Sequence, residues 1–205
     1  MKNIVYVVDH GVGNTVAIMN LLRKMGYPAQ KVQSSDLLVN HDHSKSKFIL
    51  PGVGSFNAGM NALNTKGLSP LLIEHANSGG HILGICLGMQ LLLDSSEEGA
   101  VSGLGVIPGD LERMESADGY RVPHVGWERI SIIHSDPIFE GVRKLRFYHN
   151  HSFALPSPST HELASIDYSK RYAVAIRKNN VIGVQFHPEK SHDEGQKIFT
   201  NFLNQ

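Results

Sequence analysis

Short apolar runs alternate with amphipathic stretches along the first half of the chain, and this order constrains the fold more than any other feature. The first amphipathic stretch places Val16, Met19 and Leu22 at helical spacing. The strand-like runs are residues 4–8, 47–50 and 82–85, and the helix-like stretches are residues 14–25, 68–76 and 87–93. This order predicts an α/β fold with a mostly parallel central sheet that is flanked by helices on both faces.

The chain becomes rich in β-type sequence after Gly103. Short strands are expected at residues 106–107, 129–133, 145–148, 163–166, 173–176 and 181–184, and a last helix is expected at residues 193–203. Residues 41–46 and 155–159 have the composition of loops. We therefore expect one domain over residues 1–205, with an additional β-rich region in its C-terminal half.

The composition excludes several function classes. Lysine plus arginine and aspartate plus glutamate number 19 each, so no net charge attracts nucleic acid or an anionic membrane. The apolar run at residues 4–8 is too short for a secretory signal, and no run is long enough to span a bilayer. A single cysteine cannot form an internal disulfide, which favours a reducing cytoplasm as the location.

That cysteine, Cys86, lies in a turn that suggests catalysis. Gly84 and Gly88 flank it, an apolar strand precedes it and a helix-like run follows it, as in a nucleophile elbow. Far downstream, His187 and Glu189 supply an imidazole and a carboxylate. A thiol, an imidazole and a carboxylate together can form a covalent thioester. The alternative is a buried, inert thiol beside an ordinary polar loop.

Four segments should converge at the carboxyl ends of the strands, where α/β sheets bind ligands. They are residues 9–14, residues 51–56, the Cys86 turn and residues 186–191. The first contains Gly11 and Gly13 but has Val16 in place of the third glycine of a dinucleotide fingerprint, so we interpret it as a glycine turn and expect no cofactor.

Backbone N–H groups near Cys86 are candidates for an oxyanion hole. Gly52 and Gly54 would let N–H groups approach a developing negative charge without side-chain hindrance, and Leu87 directly follows the nucleophile. Each such donor contributes on the order of 3 kcal/mol to acyl transfer. The alternative for residues 51–54 is a simple turn.

Paired histidines raise the question of a metal site. His149 and His151 form one pair, and His41 and His43 form another. Neither pair has a third ligand at a suitable spacing, and the chain has no second cysteine. We therefore expect no metal.

The Cys86 and His187 segments together resemble the motifs of class I (triad-type) glutamine amidotransferases. Within that class, the chain is similar along nearly its whole length to the family of glutaminase subunits of imidazole glycerol phosphate synthases. The segments that carry this resemblance are residues 9–14, 51–56, 84–90, 123–127, 147–153 and 186–191.

The resemblance implies roles for individual residues. Cys86 would attack the side-chain amide of L-glutamine, with His187 as the base and Glu189 as its orienting partner. Gln90 and Glu98 match positions that bind the amino-acid portion of glutamine. His151 and Ser152 match the backbone that holds its carboxylate, and Gly52 and Val53 match an oxyanion strand that reorients when the partner binds its ligand.

The resemblance also implies a partner. The family forms a heterodimer with a cyclase of (β/α)₈-barrel fold, which uses the ammonia to make imidazole glycerol phosphate and AICAR in histidine biosynthesis. Lys190 resembles a lysine beside the ammonia exit, and Trp127 with His124 is the candidate interface anchor. A tryptophan buried in the core is the alternative for Trp127.

Three departures from the family pattern concern the partner and not the triad. His10 replaces a usual tyrosine, His149 and Asn150 replace a usual apolar pair, and Ser191-His192 resembles paralogues that serve bacterial surface-sugar amidation. Three hypotheses follow: a histidine-pathway glutaminase, a glutaminase of the surface-sugar type, or a scaffold that binds or regulates without turnover.

Overall fold

A large mixed β-sheet forms the centre of the molecule in the computed structural model, which describes residues 4–35 and 46–205. Eleven of the strands in these residues belong to it, and two more form a separate ribbon. The strands are β1 (Val5–Val8), β2 (Ala29–Val32), β3 (Lys47–Gly52), β4 (His81–Cys86), β5 (Ser95–Ser96), β6 (Asp110–Arg113), β7 (His124–Arg129), β8 (Ser131–Ile132), β9 (Arg146–His151), β10 (Phe153–Pro156), β11 (Glu162–Asp167), β12 (Arg171–Lys178) and β13 (Val181–Val184).

Two of the described helices begin where a polar side chain caps the first turn. Asn14 accepts a hydrogen bond from the Ala17 N–H and Ser55 accepts one from the Ala58 N–H, so each satisfies a free donor of the first turn. The helices of the described residues are α1 (Thr15–Lys24), α2 (Phe56–Thr65), α3 (Leu68–Asn77), α4 (Leu87–Leu91) and α5 (His192–Leu203). None of them combines the length and apolar character that crossing a membrane requires.

The parallel half of the sheet has the strand order β2-β1-β3-β4-β13. Side chains alternate along each strand, so Val5 and Val7 pack on one face with α1 and α5, whereas Tyr6 and Val8 pack on the other with α2 and α3. Helices therefore cover both faces, as the sequence predicted. The carboxyl ends of β3, β4 and β13 meet at one edge.

The β-rich half extends this sheet and adds the ribbon. β12 pairs antiparallel with β13, and β10, β6, β5, β11 and β8 continue the sheet from there. β7 and β9 pair only with each other, in an antiparallel register that sets His124 opposite His151. The expectation of an additional β-rich region is confirmed.

Most predicted elements are confirmed to within one or two residues, and several were wrong. Val106 and Ile107 form a bend because both N–H groups donate to the Leu92 carbonyl oxygen. The strand expected at 129–133 is divided between β7 and β8, and the loop expected at 155–159 begins inside β10. α2, β2 and β6 were not anticipated. His41, His43 and the loop around them lie outside the described residues, apart from Ser46.

Candidate active site

Cys86 occupies a sharp turn between β4 and α4. Its φ of 53° is in the left-handed region, which a residue with a side chain rarely adopts, so the surrounding structure holds it there. Close packing makes the neighbouring glycine necessary, since a Cβ at Gly88 would overlap the Leu50 carbonyl oxygen on β3. This strained turn from strand to helix is the geometry of a nucleophile elbow.

His187 and Glu189 lie just beyond the end of β13, beside the Cys86 turn. Nδ1 of His187 lies 2.8 Å from Oε1 of Glu189, and both side chains are almost completely buried. Burial opposes protonation of the imidazole, but hydrogen bonds and charge interactions with Cys86 and Glu189 outweigh it and raise the pKa of His187 to about 9. The ring is therefore oriented by the carboxylate and is a strong base toward Cys86.

A cavity of about 270 Å³ opens at Cys86, and it contains most of the residues that the sequence singled out. Gly52 is not among the lining residues; it pairs with Cys86 in the sheet, and a Cβ there would approach Leu87 Cβ to 2.7 Å. The lining residues are Val53, Gly54, Cys86, Leu87, Gln90, Glu98, Pro123, Asn150, His151, Ser152, Phe153 and His187.

Two polar side chains of this lining hold the backbone around the cavity. Gln90 Nε2 donates to the Phe153 carbonyl oxygen at 3.0 Å and to Gln185 Oε1 at 3.1 Å. Glu98 Oε2 accepts from the Phe56 N–H at 2.6 Å, at the first turn of α2. Because these contacts fix both side chains, they present a rigid polar surface to a ligand.

The strand end at residues 51–54 is tied to the loop after β1. The Val53 N–H donates to the Val12 carbonyl oxygen at 3.4 Å, and His10 Nε2 hydrogen-bonds to the Pro51 carbonyl oxygen at 2.8 Å. Gly54 has a φ of +104°, which a side chain would disfavour. His10, noted as a departure from the family pattern, thus contacts the candidate oxyanion strand.

Three further polar residues contact the triad and were not anticipated. The Asn150 carbonyl oxygen and the Gln185 Nε2 atom each lie 3.8 Å from Cys86 Sγ. Ser191 Oγ accepts from the Tyr148 N–H at 3.0 Å and donates to the His187 carbonyl oxygen at 2.6 Å. A polar residue at the end of the apolar strand β13 was the signal for Gln185, whereas nothing local marks Asn150.

The three predicted interface residues have different surroundings. Trp127 is 36% exposed and stacks on His192 at 5.2 Å, so the alternative of a core tryptophan is wrong. Lys190 is exposed, with Nζ 5.4 Å from the centre of the Tyr148 ring. His124, by contrast, is buried and stacks on Tyr168 at 4.1 Å, so its assignment as a surface anchor is wrong.

The structure brings a third histidine to one of the two pairs. His124 pairs with His151 across the ribbon, and its ring lies 5.0 Å from that of His149. The argument that this pair lacks a third ligand was wrong, because strand pairing supplies one from a distant part of the sequence. Burial and the neighbouring histidines hold the pKa of His149 well below its usual value, and burial lowers that of His151 to about 3.

Solved structures resemble this fold closely. The crystal structure of a glutamine amidotransferase superposes with a TM-score of 0.74 over 98% of this chain and 97% of its own, at 20% identity. The structure of PurLQS from Thermotoga maritima superposes with a TM-score of 0.72 over 100% of this chain and 99% of its own, at 21% identity. At these identities the likeness establishes the fold, and it confirms the predicted mostly parallel sheet with flanking helices.

Sequence comparisons identify the family. The model of the glutamine amidotransferase class-I family matches residues 6–205. The imidazole glycerol phosphate synthase subunit HisH 2 of Pseudomonas aeruginosa is 40% identical over 97% of this chain and 98% of its own length. The chloroplastic imidazole glycerol phosphate synthase hisHF of Arabidopsis thaliana is 39% identical over 98% of this chain, which spans 34% of that longer protein. The chain therefore belongs to the class-I glutamine amidotransferase family and, within it, to the imidazole glycerol phosphate synthase HisH subunits.

Proposed function

We propose that this chain hydrolyses L-glutamine to glutamate and ammonia as the glutaminase subunit of an imidazole glycerol phosphate synthase in histidine biosynthesis. The observation that carries the proposal is the buried His187–Glu189 pair at 2.8 Å beside the strained Cys86 turn. A thiol nucleophile needs a base that a third group orients, and this arrangement supplies all three. The named relatives do not support the surface-sugar or the non-catalytic hypothesis.

The first half-reaction forms a thioester. Nε2 of His187 takes the Cys86 proton, and Sγ attacks the Cδ atom of the glutamine side chain. The tetrahedral intermediate collapses when its C–N bond breaks, and the nitrogen leaves as ammonia with the proton from His187. Glu189 accepts the hydrogen bond from His187 Nδ1 and stabilises the imidazolium while that ring holds the transferred proton.

The second half-reaction releases glutamate. His187 takes a proton from water, the hydroxide attacks the thioester carbonyl, and the C–S bond breaks as the proton returns to Cys86. The buried setting of both side chains favours these transfers, because it limits the competing solvent in the cavity.

The cavity lining supports specific contacts with glutamine. We assign the α-amino group to Glu98 and Gln90, and the α-carboxylate to the backbone at His151 and Ser152. All four residues line the cavity. The contacts that fix Gln90 and Glu98 would hold the amide carbon near Cys86 Sγ without further ordering of these side chains.

The oxyanion hole is incomplete in this conformation. Leu87 lies next to the nucleophile and can donate its N–H, but the Val53 N–H donates to Val12. We propose that the peptide at Gly52–Val53 turns toward Cys86 during catalysis, with Gly52 and Gly54 permitting the rotation. The resting chain would then be a slow glutaminase.

The partner in this proposal is a cyclase subunit of (β/α)₈-barrel fold that receives ammonia directly. Val125 and Trp127 are exposed on one face of β7, close to Pro123 at the cavity, and Lys190 is exposed nearby on the Tyr148 ring. An apolar patch with one aromatic anchor suits a protein interface. Direct transfer keeps ammonia unprotonated, and the free thiol of Cys86 is consistent with a cytoplasmic location.

Glutamate release is the measurement that tests the proposal. The protein is assayed with glutamine alone, with the histidine-pathway cyclase, and with the cyclase plus its ribulosyl ligand. We expect a large rise only when both are present. No rise, while a glutamine-like electrophile still alkylates Cys86, would keep the glutaminase and refute this partner. Absence of alkylation in the folded protein would refute the glutaminase as well.

A further inference from the structure

Three histidines form a buried cluster on the β7–β9 ribbon, outside the catalytic triad. His149 and His151 are two residues apart on β9 and therefore lie on the same face of the ribbon. His124 lies opposite His151 on β7. The three ring centres are 5.0 to 5.5 Å apart, and the side chains are buried.

The ring nitrogens of this cluster converge. One nitrogen from each ring can be chosen so that all lie within 4.8 Å of one another. Nδ1 of His149 and Nε2 of His151 are already 3.3 Å apart. Two imidazole ligands of a tetrahedral zinc ion, each about 2.0–2.1 Å from the metal, are separated by about 3.3 Å. Only small ring rotations would therefore be needed to surround an ion.

Protein contacts leave part of the cluster unsatisfied. Nδ1 of His124 and Nε2 of His149 are buried and have no hydrogen-bond partner among the described residues. Buried polar atoms usually have a partner, so each unpaired atom calls for a ligand, a water molecule or an ion. Nδ1 of His124 is therefore available to an ion bound by Nδ1 of His149 and Nε2 of His151, whereas the unpaired Nε2 of His149 is not the atom that lies near His151 and adds no support to that ligand set.

A hydrogen bond to the backbone orients His151 so that its other ring nitrogen can bind a metal. Its Nδ1 lies 3.0 Å from the Phe153 carbonyl oxygen, which fixes the tautomer with the proton on Nδ1 and the lone pair on Nε2. A backbone carbonyl on the far nitrogen is the usual support for a metal-binding histidine.

We propose that His124, His149 and His151 bind one divalent transition-metal ion of the zinc class. Imidazole ligands suit zinc, cobalt, nickel and copper, and no carboxylate of the described residues joins the cluster to favour magnesium or calcium. His151 also lines the cavity at Cys86, so water or another small molecule can reach the fourth position. Binding of the ion does not require the proposed glutaminase activity.

A bound ion would restrain the ribbon beside the catalytic residues. The Tyr148 carbonyl oxygen accepts from the His187 N–H at 2.8 Å, and the Asn150 carbonyl oxygen lies 3.8 Å from Cys86 Sγ. Both groups flank His149 on β9, so an ion bound there restrains the strand that contacts the base and the nucleophile. The consequence that can be measured is a more stable ribbon.

The test is cobalt binding to chelator-treated protein that carries Cys86→Ala, since this background removes the one thiolate ligand. We expect one Co²⁺ per chain with the intense visible absorption of tetrahedral coordination and its displacement by Zn²⁺. At a Zn²⁺ excess of about 100 times Kd, the melting temperature should rise by about 5 °C. Failure of the folded protein to bind a stoichiometric ion at micromolar concentration would overturn the proposal.

Variants locate the ion. His149→Phe and His149→Gln should each weaken Co²⁺ binding about 100-fold, and two replacements guard against one that fails to fold. His161→Gln is the matched control and should leave binding unchanged, because His161 lies outside the cluster. Unchanged binding in both folded His149 variants would place the ion elsewhere on the chain and refute the site.

Discussion

One wall of the Cys86 cavity is made by the ends of parallel strands, whereas another belongs to the β7–β9 ribbon and the turn after it. The first, here called the strand-end wall, consists of Val53, Gly54, Cys86, Leu87, Gln90 and His187, together with Gly52 and Gly88, which pack against this part of the chain. The second, the ribbon wall, consists of Pro123 and Asn150–Ser152. Strain and close packing define the strand-end wall, while buried histidines behind the ribbon wall leave two ring nitrogens, His124 Nδ1 and His149 Nε2, without a hydrogen-bond partner among the described residues.

Because of this difference, we expect the residues of the strand-end wall, which carry out the reaction, to tolerate substitution less well than the residues of the ribbon wall, which position the substrate. Sγ of Cys86 and the ring of His187 must meet the substrate directly, so a change in the strand-end wall should remove activity or the fold. The ribbon wall contributes the Asn150 carbonyl oxygen near Cys86 Sγ, and its His151 side chain contacts His149 and His124. We therefore expect effects to decrease from the first wall to the second.

Replacement of the nucleophile should have the largest effect. Cys86→Ala removes the atom that forms the thioester, so glutamate production should fall at least about 10⁴-fold. The assay is glutamate release in the presence of the cyclase and its ligand, with circular dichroism to verify the fold. Activity within tenfold of the unmodified protein would refute covalent catalysis at the strand-end wall.

Loss of the orienting carboxylate of Glu189 should have the next largest effect on activity. In Glu189→Gln the amide can donate to His187 Nδ1 and so favour the wrong tautomer, which should lower kcat about 10³- to 10⁴-fold. Glu140→Gln, at an exposed carboxylate, is the matched control and should have little effect. Equal activity of the two variants would show that Glu189 does not orient the base.

The same variant should change how stability depends on pH. The folded-state pKa of His187 is about 9, above its ordinary 6.5, so its protonation stabilises the fold fully below pH 6.5 and this contribution is lost as the pH rises through 9. Glu189→Gln removes a negative charge and lowers that pKa. Urea unfolding at pH 6, 7.5 and 9 should show that the free energy of unfolding declines less steeply with pH in the variant. Parallel declines in the two proteins would show that Glu189 does not raise the pKa of His187.

The close packing of the strand-end wall should also not tolerate an added side-chain atom. A Cβ in Gly88→Ala would overlap the Leu50 carbonyl oxygen, so β3 and α4 must separate, and the free energy of unfolding should fall by about 3 kcal/mol. Gly13→Ala is the control, since its Cβ would meet its nearest neighbour at an ordinary 3.5 Å. Chemical denaturation measures both, and equal stabilities would show that the turn has room to relax.

The strand-end wall could be predicted from sequence because local pattern determines it. An apolar strand followed by glycine, cysteine and a helix-like run places Cys86 at the carboxyl edge, and the parallel sheet brings the end of β13 beside it. Resemblance to a known family added Gln90, Glu98 and His151. The bounds of α1, α3 and α5 were also predictable to within about one residue, because their helical pattern is local to each segment.

Local sequence pattern did not predict the ribbon wall, because long-range pairing determines it; His151 and Ser152 came only from the family resemblance. No local signal shows that His124 lies opposite His151, so the third histidine was missed and His124 was assigned to the surface. Asn150 contributes a carbonyl oxygen, which every residue possesses. Val106 and Ile107 show the same limit: their β-type side chains fit a strand, but hydrogen bonds to Leu92 prevail.

On the outer face of the ribbon, Trp127→Ala should weaken partner binding. We expect a loss of about 2 kcal/mol, or roughly 30-fold in Kd, because exposed aromatic anchors dominate interfaces. Ile133→Ala, at a 42% exposed side chain on another part of the surface, should leave Kd unchanged. Calorimetric titration with the cyclase measures both, and an unchanged Kd for Trp127→Ala would remove this face from the interface.

The smallest effect is expected behind the ribbon wall, in the protein without metal. His149 is completely buried with an unpaired Nε2, so its ring loses hydration on folding without full compensation. Phenylalanine has a similar shape and no polar atom, and the Phe186 ring lies only 6.0 Å away. His149→Phe should therefore change the free energy of unfolding by no more than about 1 kcal/mol, and in the stabilising direction. His151→Phe is the informative comparison, because it also removes the hydrogen bond to the Phe153 carbonyl oxygen and should destabilise. If His149→Phe destabilised the metal-free fold by several kcal/mol, the cluster would be a packing element as rigid as the Cys86 turn, and the contrast between the two walls would fail.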